Sequence, residues 1–208
     1  MSTIRIVWGT GTAPTRQASY DVALADAGIC DYNLISVSSV IPASAQIRPI
    51  GTAPDLGAIG NRLTVVQARE TARGCSQVSA ALAWEKSSSD GPGLFYETAG
   101  ETDPETVRSR ALEGLSVGKS LRKWDFEDRE LDDESRFGTD EKSEAIGESL
   151  DGLSSTTQSD SVRHTYQTDG GDGPTENSGV HVESIAASEK LYATALVVGI
   201  YGESEPIL

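Results

Sequence analysis

The chain has 208 residues, of which 37% are hydrophobic, so it suits one domain with a single core and an insertion. Acidic residues outnumber basic ones by 32 to 17, and the net charge of −15 argues against a nucleic-acid partner and against adsorption to an anionic membrane. Only five of the basic residues are lysines. An acidic, lysine-poor surface is typical of proteins that work in high salt, where screening weakens repulsion among carboxylates. An ordinary acidic cytosolic protein is the alternative.

The N-terminal region predicts a strand followed by a helix. TIRIVWGTG (3–11) starts as a strand and ends in a glycine loop. PTRQASYDVALADAG (14–28) follows as a helix, with Thr15 as a cap and Gly28 as the stop. Three apolar side chains recur at helical spacing and are expected to face the core: Ala18, Val22 and Ala25.

A pair of adjacent serines, Ser38 and Ser39, lies in the second predicted strand, NLISVSSVIP (33–42). Its aliphatic neighbours favour a buried strand, in which two hydroxyls must find partners or cost stability. From the residues alone, two explanations stay open. Either the hydroxyls bond neighbouring carbonyls in a tightly packed strand, or the peptide bond between the serines is meant to break.

The later elements mix strands with helices and show no regular βαβ repeat, which predicts an α+β layered domain. The clearest helix has Asp103 as its cap, Pro104 at the first position and Glu105 in the first turn. The later elements in chain order are a strand at 62–69, a short alanine-rich helix at 76–85, a strand at 93–98, this helix at 102–122 and a strand at 188–202.

One region differs in composition from the rest of this single predicted domain. Residues from 125 to about 180 are rich in carboxylates, glycine and serine, so they cannot bury much apolar surface. We expect an acidic, partly disordered insertion there. Its His164, and His181 beside it, lack the spacing of metal ligands, and no metal is expected.

Other sequence features exclude several classes of protein. GTGTAP (9–14) lacks the third glycine of a dinucleotide-binding loop, and no GxSxG hydrolase motif occurs. Cys30 and Cys75 form no CxxC motif, and no signal peptide is evident, so a reduced, cytoplasmic protein is expected. No apolar run approaches the length of a membrane span.

The serine segment and three other stretches resemble one family. NLISVSSVIP is similar to the cleavage segment of archaeal-type pyruvoyl-dependent arginine decarboxylases, whose pattern is Asn-Leu, a few residues, Ser-Ser, an aliphatic residue and Pro. SYDVALADAGICDYNL resembles the preceding helix, GLFYETAG the Gly-Leu-x-x-Glu strand, and HVESIAASEKLYATALVVGIYG the C-terminal strand with its approach. Together they cover most of residues 4–124 and 181–202. Ala43 replaces a second proline, and the acidic insertion exceeds the compact family core.

The resemblance implies a four-layer αββα sandwich and self-cleavage into residues 1–38 and 39–208. In that family the hydroxyl matching Ser39 attacks the carbonyl matching Ser38, and Ser39 becomes a covalent pyruvoyl group, that is, a bound pyruvate. Asn33 matches the asparagine that donates to the oxyanion. The pyruvoyl ketone is an electron sink comparable to pyridoxal phosphate.

The resemblance also implies the substrate, L-arginine, and the products, agmatine and CO2, which belong to polyamine biosynthesis. Glu97 matches the proton donor, Asp21 the carboxylate that holds the guanidinium, and Val40 the aliphatic residue that lines the pocket. From the residues alone, an exposed strand-end glutamate and a helix-surface aspartate are the alternatives. Family members assemble as trimers of cleaved protomers, or dimers of trimers, with sites between neighbours.

Two other functions remain open. One is a sister pyruvoyl-dependent decarboxylase that acts on another amino acid, such as histidine. The other is an uncleaved, non-catalytic paralogue with a binding or assembly role. The presence of Asn33, Ser38, Ser39 and Glu97 speaks against the paralogue, since an inactive chain has no need of all four.

Overall fold

The computed structural model describes residues 2–74, 76–126, 164–167, 177–186 and 188–207. These residues form a mixed α+β fold, as the sequence predicts, with two helices and ten strands. In chain order the elements are β1 Thr3–Ala13, α1 Arg16–Asp26, β2 Asn33–Ser36, β3 Val40–Ile41, β4 Gln46–Gly51, β5 Arg62–Arg73, β6 Gln77–Lys86, β7 Gly93–Gly100, α2 Pro104–Ser120, β8 His164–Gln167, β9 Ser178–Ala186 and β10 Tyr192–Tyr201.

The strands make two five-stranded sheets. Sheet A has the order β2-β5-β10-β1-β4, and sheet B has the order β3-β7-β6-β9-β8. In sheet A, β1 lies between β10, which is antiparallel to it, and β4, which is parallel. In sheet B, β6 pairs antiparallel with both β7 and β9. Strands β2 and β3 follow one another in the chain but belong to different sheets.

Three apolar clusters hold these elements together. The first lies between the sheets and combines side chains such as Ile6 and Val197 of sheet A with Leu82 and Phe95 of sheet B. A second cluster joins α1 to the other face of sheet A, and a third joins α2 to the other face of sheet B. The alternation of side chains along each strand accounts for this division, since neighbouring residues point to opposite faces.

Both predicted helix N-termini are capped as expected. The Thr15 hydroxyl accepts a hydrogen bond from the Ala18 N–H at 3.2 Å, and a carboxylate oxygen of Asp103 accepts one from the Thr106 N–H at 2.8 Å. Hydrogen bonds from the Thr106 hydroxyl, and secondly from the Thr106 N–H, lower the pKa of Asp103 to about 2. Gly28, just beyond α1, has a φ of 75°, a conformation that glycine adopts at little cost.

The core-facing side of α1 was predicted wrongly, because the buried positions are shifted by one residue along the helix. Val22 is 46% exposed, whereas Ser19 and Ala23 are fully buried. The cause is the glycine pair of β1, because a Cβ on Gly9 would collide with the carbonyl oxygen of Ala23, and one on Gly11 with that of Ser19. The helix backbone rests directly on these glycines, so small residues occupy its inner side.

The alanine-rich helix predicted at 76–85 is also wrong, because this segment forms β6. Alanine favours a helix in isolation, but tertiary pairing overrides that preference here. As the central strand of sheet B, β6 directs Leu82 and Trp84 between the sheets and Ala81 and Ala83 toward α2. The small alanines leave room for α2 to pack against the strand.

Several elements were not foreseen from the sequence, chiefly β4, β8 and most of β9. The acidic insertion predicted at about 125–180 falls largely on residues 127–163 and 168–176, which lie outside the described residues, as does Cys75. Cys30 is a free, exposed thiol. In the described part of the chain, the helices are too short or too polar to span a membrane.

Candidate active site

The serine pair occupies an exposed connection between the two sheets rather than the interior of a strand. The predicted continuous strand at 33–42 is interrupted, because β2 ends at Ser36 in sheet A and β3 begins at Val40 in sheet B. The chain must leave one sheet to enter the other, so residues 37–39 lie between the two strands. Ser38 is exposed and Ser39 half-buried. The expectation of two buried hydroxyls is therefore wrong, and the serine pair lies at the surface of the protomer.

The backbone just after this bond is held by two hydrogen bonds from distant elements. The N–H of Phe95, on β7, donates to the carbonyl oxygen of Ser39 at 2.8 Å. The hydroxyl of Tyr201, at the end of β10, donates to the carbonyl oxygen of Val40 at 3.0 Å. The rings of Phe95 and Tyr201 pack edge to face, with centroids 6.2 Å apart. The start of β3 is thus fixed by both sheets.

The Ser39 side chain makes the most direct contact in this region. Its hydroxyl donates a hydrogen bond to Oε2 of Glu97 at 2.6 Å, across 58 positions of sequence. Glu97 lies on β7 two residues beyond Phe95, so it shares the strand face that is directed toward sheet A. Burial, and secondly the negative charge of Glu97, raise the pKa of Tyr201. A hydroxyl, a carboxylate and a neutral phenol therefore lie together around residues 39 and 40.

Asn33, by contrast, is not directed at the serines within one protomer. Its backbone N–H donates to the carbonyl oxygen of Asn61 at 2.8 Å, and its side-chain Nδ2 donates to that of Gly60 at 2.6 Å. Both bonds fasten the start of β2 to the loop before β5. In this protomer the asparagine holds a strand end that leads toward the cleavage segment.

Asp21 also lies apart from the Ser39–Glu97 contact. It is exposed on α1 and accepts a hydrogen bond from Nε2 of Gln17 at 3.1 Å. Helix α1 covers the outer face of sheet A, whereas Glu97 is directed at the opposite face from sheet B. The two carboxylates are therefore separated by sheet A within one protomer.

Val40 is the predicted site residue that completes the group around Ser39. It is 42% exposed and pairs with Leu94 of β7 in the register of β3. Its side chain is therefore at the surface beside residue 39. Of the predicted residues, the structure brings together Ser38, Ser39, Val40 and Glu97.

The surroundings of Ser39 fit a prosthetic group made from that residue. The Ser39 hydroxyl is hydrogen-bonded to a carboxylate, and Ser38, which precedes it, is exposed. The carbonyl after it is held in place by Phe95, so the residue would keep its position once the chain was cut.

Sequence reasoning missed Tyr201 and the Phe95 N–H. Tyr201 is the last residue of β10 and carries no motif that ties it to the serine segment. Its role depends on β10 lying in the middle of sheet A, which a local pattern cannot reveal. The available signal in the sequence was a tyrosine at the end of the apolar run ATALVVGIY (193–201).

Comparisons with known proteins agree on one family. A sequence model of the pyruvoyl-dependent arginine decarboxylase family matches residues 3–146. A pyruvoyl-dependent arginine decarboxylase of Halobacterium salinarum is 56% identical over 126 residues, which cover 60% of this chain and 78% of that protein. The same named enzyme of Methanopyrus kandleri is 37% identical over 117 residues, covering 56% and 73%. That of Methanothermobacter thermautotrophicus is 35% identical over 121 residues, covering 57% and 76%.

Proposed function

The chain belongs to the pyruvoyl-dependent arginine decarboxylase family, and from that membership we propose that it converts L-arginine to agmatine and CO2 after cutting itself between Ser38 and Ser39. The observation that carries the proposal is the 2.6 Å hydrogen bond from the Ser39 hydroxyl to Glu97. It joins the residue that would become the cofactor to the residue that would supply a proton. A pyruvoyl group at position 39 would be held by the backbone contacts of residues 39 and 40 and would supply an electron sink for decarboxylation.

Maturation requires only atoms that the cleavage segment already holds, together with one water molecule. The Ser39 Oγ adds to the carbonyl carbon of Ser38, the C–N bond between them breaks, and the hydroxyl proton ends on the freed nitrogen of residue 39. Loss of the α-proton of residue 39 then breaks its Cβ–Oγ bond and releases Ser38 as a carboxylate. Water replaces the nitrogen of residue 39, and ammonia leaves. The two chains are residues 1–38 and 39–208.

In catalysis, the task of Glu97 is to return a proton to the former α-carbon of the substrate. Its position fits this task, because the carboxylate lies within hydrogen-bonding distance of the side chain of residue 39. Val40 would exclude water from one side of the substrate. Tyr201 and Phe95 hold the backbone of residues 39 and 40 against β7.

We further propose that protomers assemble as trimers, or dimers of trimers, with each site completed by a neighbour. Three aliphatic side chains along the cleavage segment are about 40% exposed: Ile35, Val37 and Val40. Burying them against a neighbour would also cover Glu97, which is exposed in one protomer. Asp21 would then reach the substrate from an adjacent subunit. The three apolar clusters support a four-layer αββα sandwich. We propose that the acidic insertion at about 125–180 belongs to the same single domain, residues 1–208.

Substitution of Asp21 tests the choice of substrate. A carboxylate holds a guanidinium through two parallel hydrogen bonds, which a lysine ammonium cannot reproduce. Asp21→Asn should leave the guanidinium poorly paired, at a cost of about 2–5 kcal/mol in transition-state binding, while self-cleavage continues normally. We expect the loss in kcat/KM for arginine, measured beside lysine, histidine and ornithine.

Asp31→Asn, at another exposed carboxylate, is the matched control and should keep wild-type kinetics. Full arginine activity in Asp21→Asn would remove Asp21 from the site. A wild-type preference for histidine would replace arginine with another amino acid while leaving the pyruvoyl chemistry in place.

The net charge of −15 leads to a separate prediction about salt. Repulsion among the carboxylates is screened in molar potassium chloride, so the free energy of unfolding should be larger there than at low ionic strength. The melting temperature measured across a potassium chloride series should rise. If it stays flat or falls as salt increases, the protein is not adapted to high salt.

A further inference from the structure

We propose that the backbone N–H of Val40 is a hydrogen-bond donor to the oxyanion that forms at Ser38 during self-cleavage, and that Phe95 and Tyr201 aim it. The inference rests on the proposed function, since it concerns the cleavage that generates the prosthetic group. It assigns a catalytic task to a backbone group that no sequence motif marks.

The geometry places this N–H on the reacting carbonyl before any reaction occurs. The Val40 N–H donates to the carbonyl oxygen of Ser38 at 2.8 Å, closing a three-residue turn with Ser39 at its centre. That oxygen belongs to the peptide bond that would break. The turn therefore holds the attacked carbonyl, the attacking residue and a donor within three consecutive residues.

The peptide group between Ser39 and Val40 is polarised in the direction that strengthens this donor. Its oxygen accepts the Phe95 N–H at 2.8 Å while its N–H donates to Ser38, and hydrogen bonds in such a chain reinforce one another. The Tyr201 hydroxyl fixes the next carbonyl, that of Val40, at 3.0 Å. The two flanking contacts restrict rotation about the Val40 backbone and so keep its N–H directed at Ser38.

The chemistry of the first step requires such a donor. As the Ser39 Oγ adds to the Ser38 carbonyl carbon, that carbonyl oxygen gains a negative charge, and a hydrogen bond to a charged oxygen is about twice as strong as one to a neutral oxygen. The attacking group, the Ser39 hydroxyl, is held by a 2.6 Å hydrogen bond to the carboxylate of Glu97. The Asn33 side chain, which the family resemblance indicates as the oxyanion donor, is bonded to Gly60 in this protomer.

The test compares two substitutions that both remove the valine side chain. Val40→Pro also removes the N–H, whereas Val40→Ala keeps it. Removal of one oxyanion donor typically slows a reaction by about 100-fold to 1,000-fold, so we expect Val40→Pro to cleave at least about 100-fold more slowly than Val40→Ala. Cleavage is followed by denaturing electrophoresis over time, and circular dichroism checks that each variant is folded.

A third variant keeps the test decisive if proline prevents folding. Tyr201→Phe keeps the ring that packs on Phe95 and removes only the hydroxyl that holds the Val40 carbonyl. We expect it to fold and to cleave several-fold more slowly than wild type. Wild-type cleavage rates in a folded Val40→Pro, or in Tyr201→Phe where the proline variant does not fold, would overturn this inference and leave the proposed function intact. A wild-type chain that never cleaves would instead remove the proposed function.

Discussion

Ser39→Ala is expected to stay a single chain, while wild type separates into residues 1–38 and 39–208 on denaturing electrophoresis. Alanine lacks the hydroxyl that attacks the Ser38 carbonyl, so no ester can form. Cleavage should be abolished completely, because residue 39 then has no nucleophilic atom in its side chain. Mass spectrometry of wild type should show a fragment 39–208 that lacks the elements of ammonia relative to simple hydrolysis.

Ser38→Ala is the matched control for that experiment. Residue 38 contributes its carbonyl to the reaction, and alanine has the same carbonyl, so this variant should still separate into two chains. The maturation proposal fails if Ser39→Ala also splits. It fails equally if wild type remains whole after long incubation in high salt, and the pyruvoyl cofactor would then be lost with it.

Glu97→Gln should mature normally and yet lose most of its decarboxylase activity. The amide oxygen of glutamine can still accept a hydrogen bond from the Ser39 hydroxyl, so the local geometry around the cleavage segment is kept. A glutamine cannot return a proton to the substrate, and loss of a general acid typically costs about 100-fold to 10,000-fold in rate. Release of labelled CO2 from carboxyl-labelled arginine measures this loss directly.

A glutamate remote from the cleavage segment provides the comparison for Glu97. Glu113 is exposed on α2, and Glu113→Gln should release CO2 at the wild-type rate. Near wild-type release from Glu97→Gln would mean that another group supplies the proton. Failure of Glu97→Gln to mature would instead give Glu97 a part in cleavage itself.

Local sequence patterns predicted the elements whose signals lie within a few residues. The Thr15 and Asp103 caps and the stop at Gly28 depend on contacts inside one helical turn or just beyond it. The orientation of α1 could not be read in the same way, because it is set by Gly9 and Gly11 on a neighbouring strand. Each of these glycines matters through a backbone that approaches it from elsewhere in the chain.

The alanines of β6 show the same limit more strongly. Helix α2 packs over Ala81 and Ala83, which need small side chains for that reason. The alanine-rich segment therefore marks a strand that is covered by a helix and is not itself a helix. Ser39 and Glu97 were assigned to one site only through the family resemblance, because nothing near residue 97 in the sequence indicates which strand β7 pairs with. Tyr201 lies in the C-terminal stretch that resembles the family, but the resemblance gave it no role, and it lies beyond the matched residues 3–146.

The position of β1 between β10 and β4 has a consequence for the molecule after the cut. The fragment 1–38 would then contain β1, which is an interior strand of sheet A, together with α1 and β2. No covalent bond would join it to the rest of the protein. It could not dissociate without tearing sheet A apart, so the cut protein would behave as one particle in native solution. Unfolding, however, would allow the two chains to separate. The uncut precursor can refold as a unimolecular event, whereas the mature enzyme would have to refold by encounter, at a rate that depends on its own concentration. Maturation would in this way change refolding from a unimolecular reaction into a bimolecular one.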